Sequence, residues 1–151
     1  MCLTIGKCDK GYAVLDMWRR KIEFPELVRI AVALSDQWIP DMVLIEDAAS
    51  GQSLTQMLQR DTRLPLKGIK PQGDKVVRAQ SVTGLVESGR VWLPDRADWL
   101  ATFLDECASF PTGKHDDIVD ALTYGLQYLR RNDPGEITSP YELTRASRWS
   151  A

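Results

Sequence analysis

Residues 2–6 and 12–18 are short runs rich in β-formers, and the segment Lys7-Cys8-Asp9-Lys10-Gly11 between them ends on a glycine able to take the positive φ of a tight reversal. This predicts a β-hairpin. After Phe24-Pro25 the period lengthens, with Leu27, Ile30, Ala31, Leu34 and Trp38 on one 3.6-residue stripe, which predicts an amphipathic helix ending before Pro40. Met42-Val43-Leu44-Ile45 is a continuous apolar run between Pro40-Asp41 and Glu46-Asp47, as in a strand buried on both faces, and is the best central-strand candidate.

A further helix is expected from about Ser50 through Leu54, Met57 and Leu58, then a short strand over Leu66 to Ile69 between Pro65 and Pro71. Asp74 is suited to cap a helix carrying Val77, Val82, Leu85 and Val86 that stops at Gly89. Trp99, Leu100, Phe103, Leu104 and Cys107 mark another helix, and the last strong one follows His115. Beyond Arg130 the periodicity ends, and Asn132-Asp133-Pro134-Gly135 and Ser139-Pro140 predict a flexible tail over 132–151. The order of elements is that of an α/β sandwich with a mixed sheet flanked by helices.

With 151 residues, 44% hydrophobic and 26% charged, the chain suits one globular domain, taken here as residues 1–131. Nineteen basic against twenty-one acidic residues leave a formal charge of -2, so any contact with nucleic acid must be local. Cys2, Cys8 and Cys107 form no CxxC pair and read as reduced thiols. No apolar stretch of about 20 residues is present to span a bilayer, and Met1 leads into Cys2-Leu3-Thr4-Ile5 without a charged leader. A cytoplasmic protein without a membrane partner is expected.

Two acidic signals carry candidate chemistry. Glu46 and Asp47 close the presumed central strand, where open α/β sheets place their ligand crevices, and alternation lets only one of them face a shared site. His115-Asp116-Asp117-Ile118-Val119-Asp120-Ala121 opens the last helix with three aspartates and the only histidine. Such carboxylates also suit the positive end of a helix dipole, which is their structural explanation. At about 100° per residue, Ile118, Ala121, Leu122, Gly125 and Leu129 share the buried stripe, Asp117 lies at its edge, and Asp116 and Asp120 face away. Convergent carboxylates are the hard-oxygen ligands that Mg²⁺ or Mn²⁺ requires for phosphodiester hydrolysis.

Lys67, Lys70, Lys75 and Arg78 concentrate positive charge around a strand, a loop and a helix start; Lys70, Lys75 and Arg78, with Lys114, are the candidate phosphate contacts. Trp18, Trp38, Trp92 and Trp99 lie in apolar or amphipathic runs and read as packing residues. There is no GxxxxGK[ST] phosphate loop, so an ATP-driven motor does not reside in these residues.

Several motifs occur together in a familiar order: Phe24-Pro25-Glu26-Leu27; Leu44 to Leu54, reading LIEDAASGQSL; Gly73-Asp74-Lys75 with Arg78-Ala79; Gly89-Arg90-Val91 with Leu93-Pro94; and Phe110-Pro111 with His115-Asp116-Asp117 and Val119-Asp120-Ala121. From about residue 3 to residue 130 the chain resembles the C-terminal nuclease domain of phage terminase large subunits. The resemblance implies an RNase H-like fold and a two-metal DNA endonuclease using Mg²⁺ or Mn²⁺. Its site takes an Asp from the first strand, an acidic residue from the central strand and an Asp from the last helix. Glu46 and Asp117 match the second and third, with Asp116 and Asp120 as further catalytic candidates, Asp116 among them also as a metal ligand, and His115 and Asp47 as auxiliaries. The first Asp has no counterpart, because the family's first, central strand would precede Cys2-Leu3-Thr4-Ile5-Gly6. The resemblance also implies double-stranded DNA as substrate, and an ATPase motor domain, a small terminase and a portal as partners.

Two other functions compete with that expectation. One is a non-catalytic prophage remnant that keeps the fold and oligomerises through exposed sheet edges. The other is a nuclease like a Holliday-junction resolvase, whose last helix presents similar acids, although the Glu46 to Gln52 and Gly73 to Ala79 motifs favour the terminase.

Overall fold

A computed structural model describes residues 1–132, in which strands and helices follow in the order β1 (Cys2–Cys8), β2 (Gly11–Trp18), α1 (Phe24–Trp38), β3 (Val43–Glu46), α2 (Ala49–Asp61), β4 (Leu66–Ile69), α3 (Lys75–Glu87), β5 (Val91–Trp92), α4 (Leu100–Ser109) and α5 (Asp117–Arg131). The fold is mixed α/β, as the alternation of periods predicts. Most of the tail expected over 132–151 lies outside the described residues.

The chain divides into two compact units, one made of Met1–Arg19 with the residues from Asp74 onward and the other of Arg20–Gly73. In the first unit β1 and β2 form the expected antiparallel hairpin, Leu3 opposite Met17 and Cys8 opposite Gly11, with a register shift between Thr4 and Ile5. The sheet continues to β5, which runs parallel to β2 and pairs Val91 with Tyr12 and Trp92 with Ala13. No local pattern announces β5, because a two-residue strand is defined only by the distant partner that it pairs with.

Helices α3 and α4 and strand β1 all pack against α5. Tyr12, Val82, Leu85 and Leu126 form one core cluster, and Val14, Met17, Phe103 and Ile118 form another. Gly125 faces the Ile5 side chain of β1, whose Cδ1 would have to move aside for an added Cβ. Contact on several sides shifts the buried face of α5 from the expected stripe: Ile118 is fully buried but Ala121, Leu122, Gly125 and Leu129 only partly, while Val119, Thr123, Tyr124 and Leu126 are buried as well.

In the second unit β3 pairs parallel with β4, from Val43 opposite Leu66 to Glu46 opposite Ile69. Ile45, Leu54 and Leu58 form its core, with residues of α1 packed around them. The expectation of a central strand buried on both faces is corrected here. Among the described residues β3 has β4 as its one neighbour, and only Ile45 is fully buried along it. Trp92, at 49% exposed, is half-buried, which its expected packing role allows.

Candidate active site

Helix α5 begins in a way that its own sequence does not reveal. Its N-cap residue, Asp116, makes no side-chain capping bond. The first four N–H groups of a helix have no partner inside it, and here the Ile118 N–H donates instead to Glu106 Oε1 of α4 at 2.7 Å. Glu106 is 7% exposed and accepts a second bond, at 2.6 Å, from Arg19 Nη1 just beyond β2. Arg19 Nη2 in turn lies 3.4 Å from Asp117 Oδ2. Sequence reasoning missed Glu106, although a signal was present: three residues after Phe103, it places an acid in the apolar stripe of α4.

The other two aspartates of α5 turn toward α3. Lys75 Nζ lies 2.5 Å from Asp116 Oδ2 and 2.7 Å from Asp120 Oδ2, while Arg78 Nη2 lies 3.1 Å from Asp120 Oδ1. Burial pulls the Lys75 pKa down, but hydrogen bonds to Asp116 and Asp120 outweigh it, and the net direction is up. Arg78 also sits over the Tyr124 ring, 5.5 Å from its centroid. The register of α3 that makes these contacts is set by its cap, since Asp74 accepts from the N–H groups of Val76 and Val77 as expected. The helical wheel turned Asp120 away from the packed face. Its side chain is instead only 18% exposed, because α3 covers that side of α5.

Asp117 is thus the aspartate least engaged by cations, with its side chain 62% exposed. Nearby, an open depression is bordered by Arg19, Glu106, Ser109, Lys114 and His115, and both Lys114 and His115 are exposed. Of the four candidate phosphate contacts, Lys75 and Arg78 are committed to carboxylates, whereas Lys70 and Lys114 are open to solvent.

In the second unit, Glu46 ends β3 exposed and Asp47 is partly covered, with Lys70 Nζ 3.7 Å from Asp47 Oδ2. The turn into α2 is tight, for an ideal Cβ on Gly51 would lie 1.9 Å from the Glu46 carbonyl oxygen. Only glycine fits that approach.

Hard carboxylate donors suit Mg²⁺ or Mn²⁺, but among the described residues they do not gather into a complete site for either. Among the described residues no three His, Cys, Asp or Glu side chains gather into a group able to hold a metal ion. The lysine between Asp116 and Asp120 accounts for this on α5, because it fills the place that a cation shared by those two carboxylates would take.

The mixed α/β order of elements agrees with what a comparison with known families finds. Residues 1–129 match the family model of the terminase RNaseH-like domain. The chain belongs to that family. As a terminase RNase H-like domain it is a nuclease module of a terminase, and DNA is the substrate that the family implies. No curated protein gives a significant match to the chain. Among the described residues of this terminase domain no helix is long and apolar enough to cross a membrane.

Proposed function

We propose that the chain is a Mg²⁺- or Mn²⁺-dependent DNA endonuclease module of a phage packaging terminase, with Asp117 in the first unit and Glu46 in the second each assigned as a metal-ligating carboxylate. The observation that carries this reading is the unequal engagement of the three α5 aspartates. Asp116 and Asp120 are neutralised by Lys75 and Arg78, and Asp117 stands 62% exposed with one longer contact to Arg19. Lys75 and Arg78 then serve to hold α5 in register with α3, and the exposed Lys70 and Lys114 are the better phosphate contacts. His115 and Asp47 keep auxiliary places beside Lys114 and Lys70.

A non-catalytic member of the family is the second reading, favoured by the lack of any three-donor group among the described residues. Supercoiled-plasmid nicking by the chain in Mn²⁺ separates the two. Endonuclease function predicts nicking that falls at least about a hundredfold in Asp117→Ala and in Glu46→Ala, as expected when a group acting on the transition state is removed. No nicking by the unaltered chain would support the second reading, and nicking that survives both substitutions would refute the assignment of the two carboxylates.

A further inference from the structure

We propose that Glu106 is a positioning residue for the candidate site, fixing the first turn of α5 through Ile118 and the Asp117 carboxylate through Arg19. The inference rests on the reading of Asp117 as a site carboxylate and adds the device that orients it.

Three observations support it. Glu106 lies on the buried face of α4 beside Phe103, a costly place for a carboxylate unless its oxygens are paired. Both oxygens are paired, Oε1 with the Ile118 N–H at 2.7 Å and Oε2 with Arg19 Nη1 at 2.6 Å. The first of these contacts puts negative charge at the positive end of α5, the task that an N-cap side chain performs in most helices. Asp116 stands at that N-cap position without making a capping bond. Because Glu106 satisfies the helix end from another element, the aspartates of α5 keep their oxygens for other partners. Arg19 then spans the two acids, with one nitrogen on buried Glu106 and the other 3.4 Å from Asp117. The short contact anchors the guanidinium, and the longer one leaves Asp117 oriented but not consumed.

Amide hydrogen exchange followed by NMR tests this directly in the full chain. An N–H in the first turn exchanges freely unless something outside the helix accepts it. Ile118 should therefore be protected in the unaltered chain. It should exchange about tenfold faster in Glu106→Ala, with Glu106→Gln in between because an acceptor oxygen is retained without the charge. Leu126, in the middle of α5, should keep its protection in both variants. The Arg19 Nε–H signal should be narrow and rigid in the unaltered chain and mobile in Glu106→Ala.

Unchanged Ile118 protection in Glu106→Ala would overturn the proposal. So would a uniform loss along α5 in Glu106→Gln, which would show a packing role alone. Asp117→Ala should leave Ile118 protected, so failure of the Asp117 assignment, read by plasmid nicking, is distinct from failure of the Glu106 assignment, read at Ile118.

Discussion

The two units hold their candidate acids in different ways. At the start of α5, Arg19, Lys75 and Arg78 are arranged around Asp116, Asp117, Asp120 and buried Glu106, and these side chains come from the end of β2, from α3 and from α4. At the end of β3, Asp47 has one lysine at 3.7 Å, whose own side chain is 81% exposed. Partly buried ions fix geometry because each has lost water and depends on its partner, whereas exposed pairs are screened and contribute little. The buried Glu106 and the largely covered Asp120 are therefore oriented by charge. In the second unit orientation comes from backbone, through the close approach of Gly51 to the Glu46 carbonyl.

The largest expected effects lie beneath both sites. Leu126 in the first unit and Leu58 in the second are each 0% exposed. Truncating either to alanine should destabilise the chain by about 2–5 kcal/mol, the transfer loss plus the cavity left behind, measured by urea unfolding. A loss below about 1 kcal/mol at Leu58 would mean that the core around Ile45 and Leu54 collapses to fill the gap.

Gly51→Ala comes next and probes the backbone device. The added methyl would lie 1.9 Å from the Glu46 oxygen, so α2 must shift away from the end of β3. A destabilisation of about 1–3 kcal/mol is expected in a thermal melt, as for overpacked sites. Gly68→Ala is the control in the same unit, since a Cβ there meets nothing within 4 Å.

Much of this architecture was legible in the sequence because its signals are local. Pro25, the flanking Pro65 and Pro71, and the Asp74 cap placed α1, β4 and α3 almost to the residue. The illegible parts depend on partners far along the chain. Arg78 meets Asp120 across 42 positions and Arg19 meets Glu106 across 87, so a wheel drawn for α5 alone turned Asp120 toward solvent. The same wheel placed Asp117 at the stripe's edge, without revealing that it would be the aspartate left exposed. Strand β3 read as central because its residues are apolar, but composition does not say how many neighbours a strand has.

The smallest effects sharpen the comparison most, because they weigh one ion pair against another. Asp120→Ala removes the partner shared by Lys75 and Arg78, whose side chains are 29% and 14% exposed, and should cost about 1–3 kcal/mol. Asp47→Ala removes a contact to a lysine 81% exposed and should cost less than about 0.5 kcal/mol. The dependence on pH follows from Lys75, whose pKa the fold raises above 10.5. A raised lysine stabilises the fold fully below its unfolded value and loses that contribution only as pH climbs through the folded one, so the Asp120→Ala penalty should persist unchanged from pH 7 to pH 9. Added salt should shrink the small Asp47 effect and leave most of the Asp120 effect. Equal penalties for the two substitutions would mean that α5 gains no more from its ions than the end of β3 does, and the contrast between the units would then rest on backbone alone.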